Sequence, residues 1–253
     1  MTRRPYILAE ATWKGVQEQT WDGAILPWGA TEAHNTHLPY ATDIFQVQAV
    51  AERWAADAWN EGLRLMVLPT VPFGVNTAQI DLPFHINMNP STQFLVVKDV
   101  VTSLERQGIG TLYLLNGHGA NAFTHMAREL YAQSKVMIIC VDWFKVVSAA
   151  EFFDEPGDHA DELETSVMMA VRGDLVDDPA GAGRGAYTGP ALKALNRGVA
   201  WSQRGWLGRS TQDTGMGDPR PASAEKGERY LAAVNAKLLE LAREVRALDR
   251  NRF

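Results

Sequence analysis

Two rhythms of apolar residues alternate along the chain. Ala24-Ile25-Leu26-Pro27, Leu65 to Val71, Thr111 to Leu115 and Val136 to Val141 are short apolar runs of strand length. Between them apolar residues return at helical spacing. Ile44, Val47, Val50, Ala51 and Trp54 do so from Asp43 to Gly62, and Phe94, Leu95, Val97, Val100, Val101 and Leu104 do so from Pro90 to Gly108. Further helices are predicted from about Asn121 to Gln133 and Asp161 to Val171. A last one follows Ala222-Ser223-Ala224-Glu225 and carries Leu231, Val234, Leu238, Leu239, Leu241 and Val245. The stretch from Asp174 to Met216, rich in Gly, Ala and Arg, reads mostly as loop. Strands alternating with helices predict an α/β fold with a mainly parallel sheet covered on both faces. No linker or repeat interrupts the pattern, so one domain over residues 1–253 is expected.

Composition removes several classes. Lys+Arg 24 against Asp+Glu 30 leaves a net charge of −6, and no basic cluster could follow a phosphate backbone, so no nucleic acid is expected as partner. The apolar runs fall far short of the roughly 20 residues that span a bilayer, so no membrane partner is expected either. The opening Met1-Thr2-Arg3-Arg4-Pro5 has no apolar segment behind it, and Cys140 is the only cysteine; both point to a reducing cytoplasm. Cys140 lies inside an apolar run and reads as packing, no Gly-x-Ser-x-Gly elbow is present, and Gly181, Gly183 and Gly185 follow no strand, so they read as loop. A small-molecule substrate remains.

Three clusters carry the chemistry. In Gly29-Ala30-Thr31-Glu32-Ala33-His34-Asn35-Thr36-His37, Glu32 and His34 are two apart and share a side in extended backbone, while Asp43 opens the next helix and can turn back towards them. This oxygen and imidazole set suits Zn²⁺, Mn²⁺ or Fe²⁺, although a polar loop with capping residues would read the same. Asn116-Gly117-His118-Gly119-Ala120-Asn121 lies at a strand-to-helix junction, where His118 would meet a ligand or cap the helix. In His159-Ala160-Asp161-Glu162-Leu163-Glu164, helix-dipole chemistry accounts for the acids but not for His159. Three such clusters at the ends of strands and helices fit a two-metal hydrolase, in which two cations activate water and an imidazole protonates the leaving group. Among the other residues, His37 could support the site or orient its loop, His85 stays open, His125 reads as structural, and Trp143, Trp201 and Trp206 could wall a pocket or an interface.

The segments GATEAHNTHLPYATD, LLNGHGAN, HADELETS and GMGDPRPASAEKGERYL together resemble the creatininase (creatinine amidohydrolase) family, from about Leu26 to Leu231. The resemblance implies a three-layer α/β/α sandwich, two divalent metals per subunit, hydrolysis of a C–N bond other than a peptide bond, and a homo-oligomer, commonly a hexamer. It places Glu32, His34, Asp43 and His118 at metal-ligand positions, with Asp43 bridging. His159 falls at the catalytic histidine and Glu164 at an acidic position of the site. Two departures matter. Ala120 stands where creatininases carry a glutamate ligand, so creatinine is not the expected substrate and Glu164 becomes the candidate for both a ligand and a catalytic role. The stretch Asn76 to Thr92 also lacks the family's usual substrate-loop pattern. The expected activity is a metal-dependent amidohydrolase acting on a small amide, lactam or formamide. Hydrolysis of a cyclic sugar-derived ketone, or a non-catalytic ligand-binding subunit, are the alternatives.

Overall fold

The computed structural model describes residues 3–155, 157–186, 192–202 and 213–248. In chain order, α1 (Trp13–Gln17) precedes β1 (Gly23–Trp28), α2 (Thr42–Asn60), β2 (Leu65–Val67), α3 (Pro90–Arg106), β3 (Thr111–Asn116), α4 (Phe123–Leu130), β4 (Met137–Asp142), α5 (Glu162–Arg172), α6 (Lys193–Asn196) and α7 (Ala224–Ala247). The four strands form one parallel sheet in the order β2-β1-β3-β4. Ile25 pairs with Val67, Trp28 with Asn116, and Asn116 with Asp142.

Alternation along the strands divides the core in two, because successive side chains leave opposite faces. Ile25, Tyr113 and Leu115 pack with Val47, Val50 and Trp54 of α2, Leu163 and Val167 of α5, and Tyr230, Leu231 and Val234 of α7. Ala24, Leu26, Trp28, Leu112 and Leu114 pack on the other face with Val97, Val101 and Leu104 of α3 and Phe123, Met126 and Leu130 of α4. This is the expected α/β/α sandwich. The strand predicted to reach Val71 ends at Val67, and Val71 keeps only an isolated bridge to Trp28. The helix predicted over 121–133 is shorter, because Ala122 caps it and the chain leaves it after Leu130. Gly173 to Met216 contains only short helical turns among its described residues, as a loop reading requires. No helix among the described residues is long and apolar enough to cross a membrane.

The strand order has a consequence for the site. The chain steps from β1 outward to β2, then crosses back to place β3 on the other side of β1. The connections therefore diverge between β1 and β3, and in parallel sheets a ligand crevice opens at that switch point, beyond the carboxyl ends of the strands.

Candidate metal centre

The turn after β1 carries Glu32 and His34, the turn after β3 carries His118, and the start of α2 brings Asp43 between them. His159 and Glu164 enter from the loop before α5 and its first turn. All six predicted residues meet, and five are almost fully buried, with Glu164 the most open. Local features put them there. Asn35 adopts φ +55, which reverses the chain between His34 and His37. A Cβ on Gly117 would lie 2.8 Å from Val47 Cβ and 3.1 Å from the Asp43 carbonyl, so only glycine lets the His118 turn pack against α2. Gly119 faces open space, so the motif's second glycine has no steric role here.

Each histidine uses one ring nitrogen on a backbone carbonyl. His34 Nδ1 lies 3.1 Å from Glu32 O, His118 Nε2 3.0 Å from Val75 O, and His159 Nε2 2.8 Å from Ala33 O. A carbonyl only accepts, so these nitrogens donate and the opposite nitrogens turn inward. There they meet carboxylates. His118 Nδ1 is 2.8 Å from Glu32 Oε1 and 3.1 Å from Asp43 Oδ2, and His34 Nε2 is 3.1 Å from Asp43 Oδ1 and 3.8 Å from Glu164 Oε2. His159 Nδ1 lies 3.9 Å from both Glu32 Oε1 and Glu164 Oε2. Asp43 thus presents one oxygen to each of two histidines. Glu32/His34/His159, Glu32/Asp43/His118 and His34/Asp43/Glu164 each have ligand atoms within 4.8 Å of one another. Imidazoles anchored through one nitrogen and three carboxylates converging on the other are a donor set that fits divalent cations.

The electrostatics agree. Burial penalises the charge on His34, yet Asp43 and Glu164 raise its pKa to about 10. His118 is likewise raised well above the usual imidazole range, because Glu32 and Asp43 outweigh its burial. Burial would raise Asp43 and Glu32, but the neighbouring histidines hold both carboxyls down. Burial pushes Glu164 up to about 8, with Asp43 and Asp161 adding to it. His159 is held below its ordinary value by burial and the His34 charge. Without cations, protons hold these acids together.

A cavity of about 480 Å³ opens over the cluster, walled by Val75 to Gln79, Gly119 and Ala120, and Trp201 and Ser202. Ala120 contributes only a methyl group to this wall. Trp201 lines the cavity while remaining 86% exposed, in keeping with a place on its wall. Trp143 does not line it: it is 1% exposed in the core against Phe144 and Tyr230, because β4 ends one residue before it and the chain turns inward. Trp206 lies outside the described residues. His37 supports the α5 side through Thr165 Oγ1 at 2.8 Å, and burial lowers its pKa to about 4. His85 Nε2 accepts from the Ala33 N–H at 2.7 Å, so it orients the Glu32–Ala33 peptide, whose carbonyl holds His34. His125 is exposed and apart from the cluster. Cys140 is half-buried, and burial raises its thiol pKa to about 11.

Several functional atoms escaped the sequence reading. The Glu32, Ala33 and Val75 carbonyls are backbone groups, which no residue type announces. Asn116 and Asn121 flank the Gly-His-Gly turn, and two amides beside a strand end are the signal in the sequence that marks them.

Fold and site together define an α/β protein with a buried carboxylate–imidazole centre at the switch point of a parallel sheet. Residues 9–242 match the creatininase (creatinine amidohydrolase) family, and the chain belongs to that family. It is similar to the creatinine amidohydrolase of Pseudomonas putida, at 27% identity over 67% of this chain and 73% of that protein. A mycofactocin precursor peptide peptidase of Mycobacterium ulcerans (strain Agy99) is 27% identical over 84% of this chain and 81% of its own. A 3-dehydro-scyllo-inosose hydrolase of Thermotoga maritima is 25% identical over 88% and 78%. A crystal structure from Bacteroides fragilis NCTC 9343 superposes with a TM-score of 0.91 at 42% identity, covering 98% of this chain and 99% of that one. The named substrates of these relatives differ, so family membership supports a hydrolase without choosing the bond.

Proposed function

We propose that this creatininase-family protein is a metal-dependent amidohydrolase that cleaves a C–N bond of a small amide, lactam or formamide. Glu32, His34, Asp43, His118 and Glu164 would hold two divalent cations per subunit, of zinc, manganese or iron. The carrying observation is that three histidines each give one N–H to a backbone carbonyl and turn the other nitrogen onto buried carboxylates. When bound, such cations acidify water and polarise a carbonyl oxygen. The protein's own groups do the rest. Asp43 and Glu32 keep the donor set ionised, since both carboxyls are held down. The burial of the cluster limits solvent around the reacting groups, which strengthens each electrostatic interaction there. His159 is fixed through Nε2 and kept neutral, so Nδ1 can take a proton and pass it to the leaving nitrogen. Glu164, which burial raises to about 8 in the cation-free protein, would give up that proton to complete the donor set at the cavity wall.

Metal analysis of purified protein, followed by a screen of creatinine, formamides, small lactams and cyclic sugar-derived ketones, tests the reading. The expected outcome is close to two divalent ions per chain and turnover of an amide-type compound. Turnover of only the cyclic ketones would instead favour C–C hydrolysis, the reading that the Thermotoga relative supports. Absence of divalent metal after growth in zinc- and manganese-supplemented medium would favour a non-catalytic subunit. The same reading includes a homo-oligomer, a hexamer by family resemblance, and a cytoplasmic location; light scattering checks the first.

A further inference from the structure

His118 is held by more than its own turn. Its Nε2 donates to the carbonyl of Val75, which belongs to the loop lining the cavity. That loop is itself fastened by a side chain: Asn121 Oδ1 accepts the Val75 N–H at 3.1 Å. The same oxygen accepts from Gln93 Nε2 of α3 at 2.7 Å, and Asn121 Nδ2 donates to Asn116 Oδ1 at 3.0 Å. Asn116 closes the circuit, since its Oδ1 accepts the His118 N–H at 3.1 Å and its Nδ2 donates to the His118 carbonyl at 3.0 Å and to Asp142 at 2.8 Å. Gln93, Asn116 and Asn121 are all buried. Space is reserved for this arrangement: a Cβ on Gly74 would lie 2.8 Å from His118 Cδ2 and 3.2 Å from Asn121 Oδ1.

From this circuit, which rests on the metal-centre reading above, we infer that Asn121, braced by Gln93, is the positioning residue that sets the tautomer and aim of His118 and holds the Val75–Gln79 wall of the cavity. The physical reason lies in the choice of amides. Asn121 must accept from two N–H groups and donate to one oxygen, and a neutral carboxamide offers both functions without adding charge beside a cation site. Removing it frees the Val75 N–H and loosens that residue, whose carbonyl, on the following peptide unit, keeps the His118 proton on Nε2 and leaves Nδ1 available as a ligand. Asn121 touches neither cation nor substrate; it acts through Val75 and His118.

The test uses Co²⁺ as the probe on metal-stripped full-length protein, with affinity and visible absorption read directly and independently of turnover. Asn121→Ala should weaken Co²⁺ binding about tenfold or more and alter the absorption of the bound ion, as loss of an outer hydrogen-bond support does. Gln93→Met, a milder change if the first variant folds poorly, should shift affinity in the same direction by less. Hydrogen exchange of the Val75 amide should rise in both. Leu238→Ala, in the α7 core, serves as the control: it should lower Tm and leave the Co²⁺ affinity unchanged. Wild-type affinity in both amide variants would overturn the assignment. So would an equal loss in Leu238→Ala, because the effect would then be general destabilisation. Failure of the wild-type protein to bind Co²⁺ would remove the metal reading itself, and this inference with it.

Discussion

Glu162 and Glu164 stand two residues apart at the start of α5 and are both buried or nearly so, yet their surroundings are opposite. Glu162 is fully occupied: one oxygen accepts the N–H groups of Asp154 at 2.8 Å and Glu155 at 2.6 Å, and the other meets Lys226 Nζ of α7 at 2.5 Å. Glu164 takes one oxygen to the Ala160 N–H at 2.5 Å, and that same oxygen faces His34 and His159 on the cavity side. One carboxylate is neutralised within the fold and ties the loop before α5 to α7. The other is set among further acids and imidazoles, where burial favours its protonated form. A buried acid answered by fixed donors serves stability, whereas one left facing other acids is the better candidate for chemistry.

The strongest way to break the comparison starts at the centre. Asp43→Ala should reduce turnover below about 1% of wild type and abolish tight divalent-metal binding, since it removes the carboxylate lying between two histidines. Full metal content in that variant would disprove its assignment. The two glutamates should then separate. Glu162→Ala should cost about 3 kcal/mol in urea unfolding, because two N–H groups and Lys226 lose their acceptor, while metal content survives in the folded fraction. Glu164→Gln should do the reverse, lowering metal occupancy and turnover about tenfold or more with little loss of stability. If both variants lost stability alone, Glu164 would be a structural acid like its neighbour.

Proton linkage sharpens the same contrast. In the cation-free protein His34 titrates near 10 against 6.5 when unfolded, and Glu164 near 8 against 4.5. Both folded groups keep a proton that the unfolded chain has already released, Glu164 from about 4.5 and His34 from about 6.5, so stability should fall as pH rises from about 6.5 to 10. His37 and His159, which are held down, act oppositely, costing stability only at pH values below about 6.5. Metal uptake must expel the held protons, so calorimetry in buffers of different ionisation enthalpy should show proton release near pH 7, and affinity should weaken towards pH 6. Uptake without proton release would contradict this. The smallest effect concerns Cys140: with its thiol pushed up to about 11, alkylation by iodoacetamide at pH 8 should run well below the rate of a free thiol, as mass spectrometry can show.

Much of the molecule was legible before folding was considered. Apolar spacing placed the long α2, α3 and α7, because each turns a continuous stripe towards one core and needs no distant partner to be recognised. It placed the four strands for a similar reason, and erred where support is local and weak, at the end of β2 and in the short α4. The six candidate residues were legible as types: only a few side chains bind cations or carry protons near neutrality. The difference between Glu162 and Glu164 was not, since it depends on Lys226, 64 residues away, and on which face of α5 meets the cavity. Nor was the burial of Trp143, the occupation of His85 by the Ala33 peptide, or the amide circuit behind His118.

What the sequence determined by itself was the alternation of elements, the acidic and imidazole content of three turns, and the glycine that lets one of those turns approach α2. Tertiary structure decided that β1 and β3 are neighbours, which brings Glu32 and His34 next to His118, and that α5 arrives with Glu164 towards them. Side-chain chemistry is a property of each residue, but ligand geometry and pKa depend on distances between groups far apart in the chain, and only the packed sheet sets those.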